Sequence, residues 1–300
     1  MNSRQLQYAL MLAGELNFSQ VADKLNISQP ALSKQILQLE QELGVKLFDR
    51  STSPVSLTAA GECFVKEARE ILFREDQLKR KMEEYGSGEK GRIIIGITPF
   101  RSFYQLPGIV KVLKEKFDGL QIIIRELSSA PLHDAAVAGE FDFAVTNLPV
   151  DRSQLDVYPM EEERIILAVS DELVHLVKSE PSKNGPSKVS LSDCKDLPFV
   201  VLTKKQQLRQ LFDSLCTSEG ISPDDITEVV SITTAWSMVS AGVGATILPL
   251  KFAEDERFHA GITFFELKNV TTTRQPVVVT KKGQHISKYT KYAIELLTGK

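Results

Sequence analysis

The sequence predicts a multidomain chain with an α part followed by an α/β part, and three observations lead there. Apolar residues recur every three or four positions through residues 3–43. A single apolar stripe then runs through residues 58–86, longer than a small helical unit can cover. From Arg92 onward, short continuous apolar runs alternate with helical patterns, the rhythm of open sheets with right-handed crossovers. At 300 residues the chain exceeds one ordinary core, so two or three domains are expected.

A first helix spans Ser3 to Gly14, with Leu6, Leu10 and Ala13 on one face. Ser19 is the expected N-cap of a second helix, which runs to Leu25, turns Val21, Ala22 and Leu25 inward, and is broken at Asn26. Ser28 caps a third, with Pro30 in the first turn, where its missing N–H costs nothing. Leu32, Ile36, Leu39 and Leu43 form its buried stripe and Gly44 ends it. "VKLFDR" and "SPVSLT" read as short strands joined across "STS" into a small wing. Thr58 caps the long helix, whose stripe is Ala60, Phe64, Ala68, Ile71, Leu78 and Met82, opposite a side dense in Lys, Arg and Glu. Pairing with a second copy is the natural way to bury that stripe. "GSGEKG", residues 86–91, reads as a flexible linker.

"RIIIGIT", from Arg92, is the kind of continuous apolar strand buried on both faces of a parallel sheet. A helix to Phe117, the strand "LQIIIREL", a helix over 131–139 and the strand "FDFAVTN" come next. Further strands are expected at 164–169, 198–202, 226–232, 245–248, 262–267 and 275–280, with helices at 204–219, 233–241 and 285–298. The polar tract 178–188 reads as a surface loop.

With 42% hydrophobic and 25% charged residues, the composition is that of a soluble globular protein. A net charge of −3 gives no global attraction to nucleic acid or to an anionic membrane, so any DNA binding must come from local placement. No run approaches the roughly 18 apolar residues of a membrane span, and the first residues lack a signal-peptide pattern. Cys63, Cys194 and Cys216 form no even framework and no CxxC pair, which suits a reduced cytoplasm; Cys194 and Cys216 read as small buried thiols before they read as a redox pair. His133, His175, His259 and His285 are scattered without metal-ligand spacing, and no metal or cofactor is expected. There is no GxSxG, P-loop or GxGxxG, and Glu140 and Asp142 flank a strand without a visible catalytic partner. An enzyme is not expected.

With its buried stripe removed, the third helix exposes Gln29, Pro30, Ser33 and Lys34 near its start, then Gln38 and Gln41. Compact polar side chains of this kind can hydrogen-bond base edges and phosphates from a major groove, and the free N–H groups at the helix start suit a phosphate. Residues 18–50 are nevertheless uncharged overall: Lys24, Lys34, Lys46 and Arg50 face Asp23, Glu40, Glu42 and Asp49. Glu40 and Glu42 are expected at the far end of the helix, away from the reading residues.

The ordered set Phe18-Ser19, Ala22, Leu25, Ser28-Gln29-Pro30-Ala31-Leu32-Ser33, Leu39-Glu40, Leu43-Gly44, Leu47-Phe48, Arg50, Leu57-Thr58 and Ala60-Gly61 resembles the N-terminal signature of LysR-type transcriptional regulators. The resemblance implies a winged helix-turn-helix over 1–58, a dimerising linker helix and hinge over 59–91, and an effector-binding domain over 92–300. That last part would resemble type 2 periplasmic binding proteins, with one α/β lobe at about 92–161 and 268–300 and a second at about 162–267. It implies double-stranded DNA with an interrupted palindrome as partner, a homodimer through the linker helix and a homotetramer beyond it, and RNA polymerase if the protein activates. Gln29, Pro30, Ser33 and Lys34 would sit in the major groove, Ser19 would set the second helix's start on the backbone, and Arg50 would clamp a phosphate, with Ser28 and Gln38 as further DNA-binding candidates. Leu37 stands where the family often has a basic or polar residue and the wing tip lacks an arginine, so one subunit should grip weakly and pairing should double the grip.

In such a fold a small molecule sits between the lobes, just past strand C-termini where helix N-termini point inward. That rule selects Thr98, Arg101 and Ser102, then Ser128 and Ser129, Asn147, Thr203, and Thr233 with Thr234, a set suited to a small anion. Each Ser or Thr could equally be a plain helix cap. Gly242 and Gly244 in "AGVGATILP" read as backbone-fit residues. Two other readings are a solute-binding protein whose N-terminal helices oligomerise, and a DNA-binding regulator with no ligand.

Overall fold

The computed structural model describes residues 1–51, 54–86, 91–182, 186–268 and 273–299, the side chains of residues 80 and 83–86 apart. Parts of the expected wing tip (52–53), linker (87–90) and polar loop (183–185) lie outside those residues, as do 269–272. Contacts divide the chain into two compact units, one built on Met1–Gly88 and the other on Glu89–Val137 together with Phe141–Lys300.

In the first unit α1 (Ser3–Glu15), α2 (Phe18–Lys24) and α3 (Gln29–Leu43) pack around Leu12, Val21, Leu32, Ile36, Leu39 and Phe48. Asn2 and Gln5 close α1 with a reciprocal capping box. The N-cap of α2 is Asn17, not Ser19: the Asn17 side chain accepts from the backbone N–H groups of Ser19 and Gln20, because the helix begins one residue before Ser19. Asn26, at φ 53, breaks the chain out of α2. Ser28 caps α3 by accepting from the Ala31 N–H, Pro30 lies in the first turn and Gly44 closes the helix at φ 71. Leu43 does not complete the buried stripe; it stays 38% exposed in the last turn.

The wing is only two residues deep on each side, β1 (Phe48–Asp49) paired antiparallel with β2 (Ser56–Leu57). α4 (Ala59–Gly86) comes next, with the Thr58 hydroxyl accepting from the Gly61 N–H. Gly61 is required: a Cβ there would stand 2.0 Å from the Leu47 carbonyl oxygen. α1 packs along α4, and the Ser3 hydroxyl donates to Glu75 at 2.6 Å. The expected stripe of α4 splits. Ala68 is buried, whereas Ile71, Leu78 and Met82 remain 46%, 59% and 50% exposed; Phe73, outside that stripe, is buried as well.

The second unit opens with β3 (Arg92–Ile97), α5 (Pro99–Lys116), β4 (Gln121–Glu126), α6 (Ser129–Ala138), β5 (Phe143–Asn147) and β6 (Leu155–Pro159). The chain then crosses on β7 (Glu163–Ser170) into a second sheet, adding β8 (Lys188–Val189), β9 (Phe199–Leu202), α7 (Gln207–Ser218) and β10 (Ile226–Val229). α8 (Ile232–Ser240), β11 (Ala245–Pro249), α9 (Lys251–Glu254), β12 (Ile262–Leu267) and β13 (Thr273–Arg274) complete it. The chain returns on β14 (Pro276–Lys281) and ends in α10 (Lys288–Thr298).

The first sheet has the order β4-β3-β5-β14-β6, with β3 parallel to β4 and β5, and β14 antiparallel to β5 and β6. β3 is buried on both faces, Ile93, Ile95 and Ile97 toward one core and Ile94 toward another. The second sheet has the order β10-β9-β11-β7-β12-β8, with β13 alongside β7. Arg274 pairs in register with Glu163, so the outgoing and returning crossings lie side by side. The chain enters the first sheet again at Pro276, later than the expected boundary near 268. Strand β10 stops at Val229, short of the expected 232, and α7 begins at Gln207, past the expected 204.

Candidate functional site

Two places gather the residues singled out above. On α3, Gln29, Pro30, Lys34 and Gln38 are exposed and Ser33 is half-buried, while Leu32, Ile36 and Leu39 are buried. Ser28 is exposed at the start of that helix and Ser19 in the first turn of α2. A shallow groove of about 730 Å³ beside Lys34 and Gln38 is also lined by Arg4 and Tyr8 of α1, which sequence reasoning passed over.

The carboxylates of this region are largely engaged elsewhere. Glu40 is not solvated at the far end of the helix but 7% exposed, and one oxygen accepts from the backbone N–H groups of Leu47 at 2.8 Å and Phe48 at 3.1 Å. It therefore ties the segment entering the wing to α3. Arg50 Nη2 donates to the other Glu40 oxygen at 3.3 Å and Nη1 donates to the Ser33 hydroxyl at 3.0 Å, with the guanidinium over the Phe18 ring. Two expected contacts to DNA thus hold each other. Glu42 pairs with the amino group of Met1, and Glu15 with Lys24.

The second place is a cavity of about 260 Å³ between the two sheets of the C-terminal unit. Four helix starts converge on it: Thr98 and Pro99 of α5, Ser128 and Ser129 of α6, Gln206 and Gln207 of α7, and Ser231 and Ile232 of α8. For α5, α7 and α8 the capping residue makes no side-chain cap bond, so first-turn N–H groups remain available. Each helix start carries about half a positive charge.

Arg101, Asn147 and Arg274 add the strongest groups of the lining. Arg101 is 3% exposed; it donates to Asn147 Oδ1 at 3.1 Å, Glu163 Oε2 at 3.0 Å and the Tyr104 hydroxyl at 3.0 Å. The same Glu163 oxygen also accepts from Arg274 Nε, and Tyr104 donates to the other at 3.0 Å. Among the described residues, the terminal nitrogens of Arg274 have no other hydrogen-bond partner. Burial raises the Glu163 pKa, but Arg274 and then Arg101 outweigh it and hold the carboxyl below its ordinary value. Burial pushes the Tyr104 hydroxyl up, so it stays a donor.

Of the expected cavity residues, Thr98, Arg101, Ser128, Ser129 and Asn147 are brought together. Ser102, Thr203, Thr233 and Thr234 are not in the lining. Ser102 is buried on α5 further from the helix start. Thr203 accepts from Gln206 Nε2 at 3.3 Å in the turn before α7. α8 starts with Ser231 as its cap, which places Thr233 and Thr234 on its solvent side. Missed were Gln206, Gln207, Ser231 and above all Arg274, whose only sequence signal is an arginine just before the returning strand.

Cys63 is exposed, while Cys194 and Cys216 are buried. Burial pushes the Cys194 thiol up to about 12 and the Cys216 thiol to about 11, so neither is a ready thiolate near neutral pH. Among the described residues no cluster of His, Cys, Asp or Glu could hold a metal ion, and no helix is long and apolar enough to cross a membrane.

Comparison with known proteins covers both units. Residues 3–62 match the family model for bacterial regulatory helix-turn-helix proteins of the lysR family, and residues 86–300 match the LysR substrate binding domain. The chain is 30% identical over 287 residues to the HTH-type transcriptional regulator AlsR of Bacillus subtilis (strain 168), covering 95% of this chain and 92% of that protein. It is 30% identical over 264 residues to the DNA-binding transcriptional dual regulator OxyR of Escherichia coli (strain K12), covering 88% and 84%. Its fold is similar to that of full-length CbnR complexed with its target DNA, at a TM-score of 0.65 and 20% identity over 100% of this chain and 99% of that one.

Proposed function

The chain belongs to the LysR family of bacterial regulatory helix-turn-helix proteins, and from that premise we propose that a small anion in the interlobe cavity controls its hold on an interrupted palindromic operator. The observation that carries the anion is the cavity itself: four helix starts face it, and two guanidinium groups share one carboxylate, leaving a surplus positive charge. In this reading residues 1–58 bind DNA, 59–91 are the linker helix and hinge, and 92–300 bind the effector.

Gln29, Ser33, Lys34 and Gln38 face base edges, with Ser19, Ser28 and Arg50 on phosphates. The exposed Ile71, Leu78 and Met82 of α4, spaced seven and four apart, supply the seam of a homodimer that doubles further into a tetramer. The site of action is the cytoplasm, with RNA polymerase as a further partner if the protein activates, and no catalytic step is assigned. The anion works only through its unequal affinity for two arrangements of the oligomer. The buried, poorly ionising Cys194 and Cys216 favour this reading over a redox switch at that cysteine pair.

The test is a footprint on the chain's own upstream region across a salt series, with and without a panel of small anions. Specific, salt-sensitive protection that changes with one anion is expected. Absence of specific protection defeats the regulator reading, and protection unaltered by any anion supports a regulator without a ligand.

A further inference from the structure

Resting on that anion reading, we propose that the cavity selects a monocarboxylate with a short hydrocarbon tail, its carboxylate at Arg274 and its tail against Leu202, Leu208 and Ile232. Charge sets the head. Among the described residues, Arg101 and Arg274 are the cationic groups of the lining, no Asp or Glu lines it, and Glu163 behind them offsets one of the two. One surplus side-chain charge matches one carboxylate, and the helix starts add to its hold. It leaves no cation for a second carboxylate and no lining carboxylate for the ammonium group of an amino acid.

The distribution of groups sets the tail. Thr98, Ser128, Ser129 and Asn147 come from the first lobe, whereas the second contributes Leu202, Leu208, Val230 and Ile232. The polar side chains on that second side already make hydrogen bonds within the protein, which leaves the backbone N–H groups at the starts of α7 and α8 as its free donors. Gln206 Nε2 donates to the Val230 carbonyl at 2.6 Å, the Ser231 and Thr233 hydroxyls share a bond of 2.6 Å, and Gln207 Nε2 donates to the Asn147 carbonyl at 3.2 Å. Gln207 Oε1 is buried there without a partner, and a second carboxylate would set another acceptor beside it. Behind the wall, a void of about 10 Å³ shares Leu202, Leu208 and Ile232 with the cavity and continues to Val201, Phe212, Ala235 and Ile247, with Arg209 and Thr246 also on its lining. An apolar tail pressed on that wall meets packing with slack in it.

Three matched probes test this by calorimetry on the full-length protein. Pentanoate carries the head and the tail, glutarate replaces the terminal methyl with a second carboxylate, and pentanamide keeps the shape without the charge. Pentanoate should bind, with glutarate and pentanamide each weaker by at least about tenfold, because an unpaired charge or an unanswered guanidinium is left buried. Arg274→Gln should bring pentanoate down to the affinity of pentanamide, and Arg274→Lys should restore the preference for the acid. Glutarate binding as tightly as pentanoate overturns the monocarboxylate and leaves the anion reading standing. Pentanamide binding as tightly as pentanoate overturns the anion reading and this inference with it, and no binding by any of the three overturns this inference.

Discussion

Arg50 in the N-terminal unit and the Arg101–Arg274 pair in the C-terminal unit handle positive charge in opposite ways. Arg50 has a side chain 38% exposed and rests on one carboxylate and one hydroxyl, so a phosphate can take over from Glu40 at little desolvation cost. The side chains of Arg101 and Arg274 are 4% and 17% exposed and share Glu163, whose side chain is 9% exposed. Removing a member of that set strands a charge away from water. An exposed arginine can trade partners, whereas a buried pair commits its surplus charge to whatever fills the cavity.

The comparison breaks most visibly at Glu163. Glu163→Gln should destabilise the C-terminal unit by about 3–5 kcal/mol, since two guanidinium groups lose their shared partner; a loss under about 1 kcal/mol in denaturant unfolding would mean that water already compensates them. The same group sets a pH dependence. Its folded pKa lies below its ordinary 4.5, so its stabilisation is full above 4.5 and is lost as pH falls through the lower folded value. The variant should flatten that acid limb.

Next comes Glu40→Ala, expected to cost the N-terminal unit about 2–3 kcal/mol by orphaning the Leu47 and Phe48 N–H groups and freeing Arg50. Thermal unfolding of that variant indistinguishable from wild type would show the strap to be idle. Gln29→Ala or Ser33→Ala should cost about 1–3 kcal/mol on the operator alone. The smallest effect is that of Arg50→Ala, which should weaken all DNA sequences alike and lower the salt slope by about one. Equal losses of specific and non-specific affinity in all three would erase the division between reading and clamping.

How much could be read in advance depends on the range of the interactions. The stripe Leu32, Ile36, Leu39 and the Ser28 cap are set by neighbours within a few residues, so spacing alone reveals them. The misplaced cap of α2 has the same local origin, since Asn17 and Ser19 are both competent caps and only the helix start decides between them. Thr98, Ser128, Ser129 and Asn147 were accessible because strand ends in open α/β sheets face the cleft. Glu163 and Arg274 were not. They are 111 residues apart, and in the sequence Glu163 is the last of three consecutive glutamates that look like a solvated charge run. Only the side-by-side crossing of β7 and β13 joins them. The tie of Glu40 to the wing was hidden in the same way, because a glutamate near a helix end ordinarily faces water.

Phe100 bears on how the cavity can open. It belongs by sequence to the first turn of α5 in the first lobe, yet it packs in the core of the second sheet, stacked on Phe252 at 4.2 Å and against Phe258. Swinging the lobes apart like a clam would drag that ring out of its socket and expose the faces of three aromatic side chains at once. The hinge is therefore stapled shut on one side by a hydrophobic peg. Under the proposed function, an effector would have to act with that peg in place, by tilting the lobes about Phe100 rather than parting them.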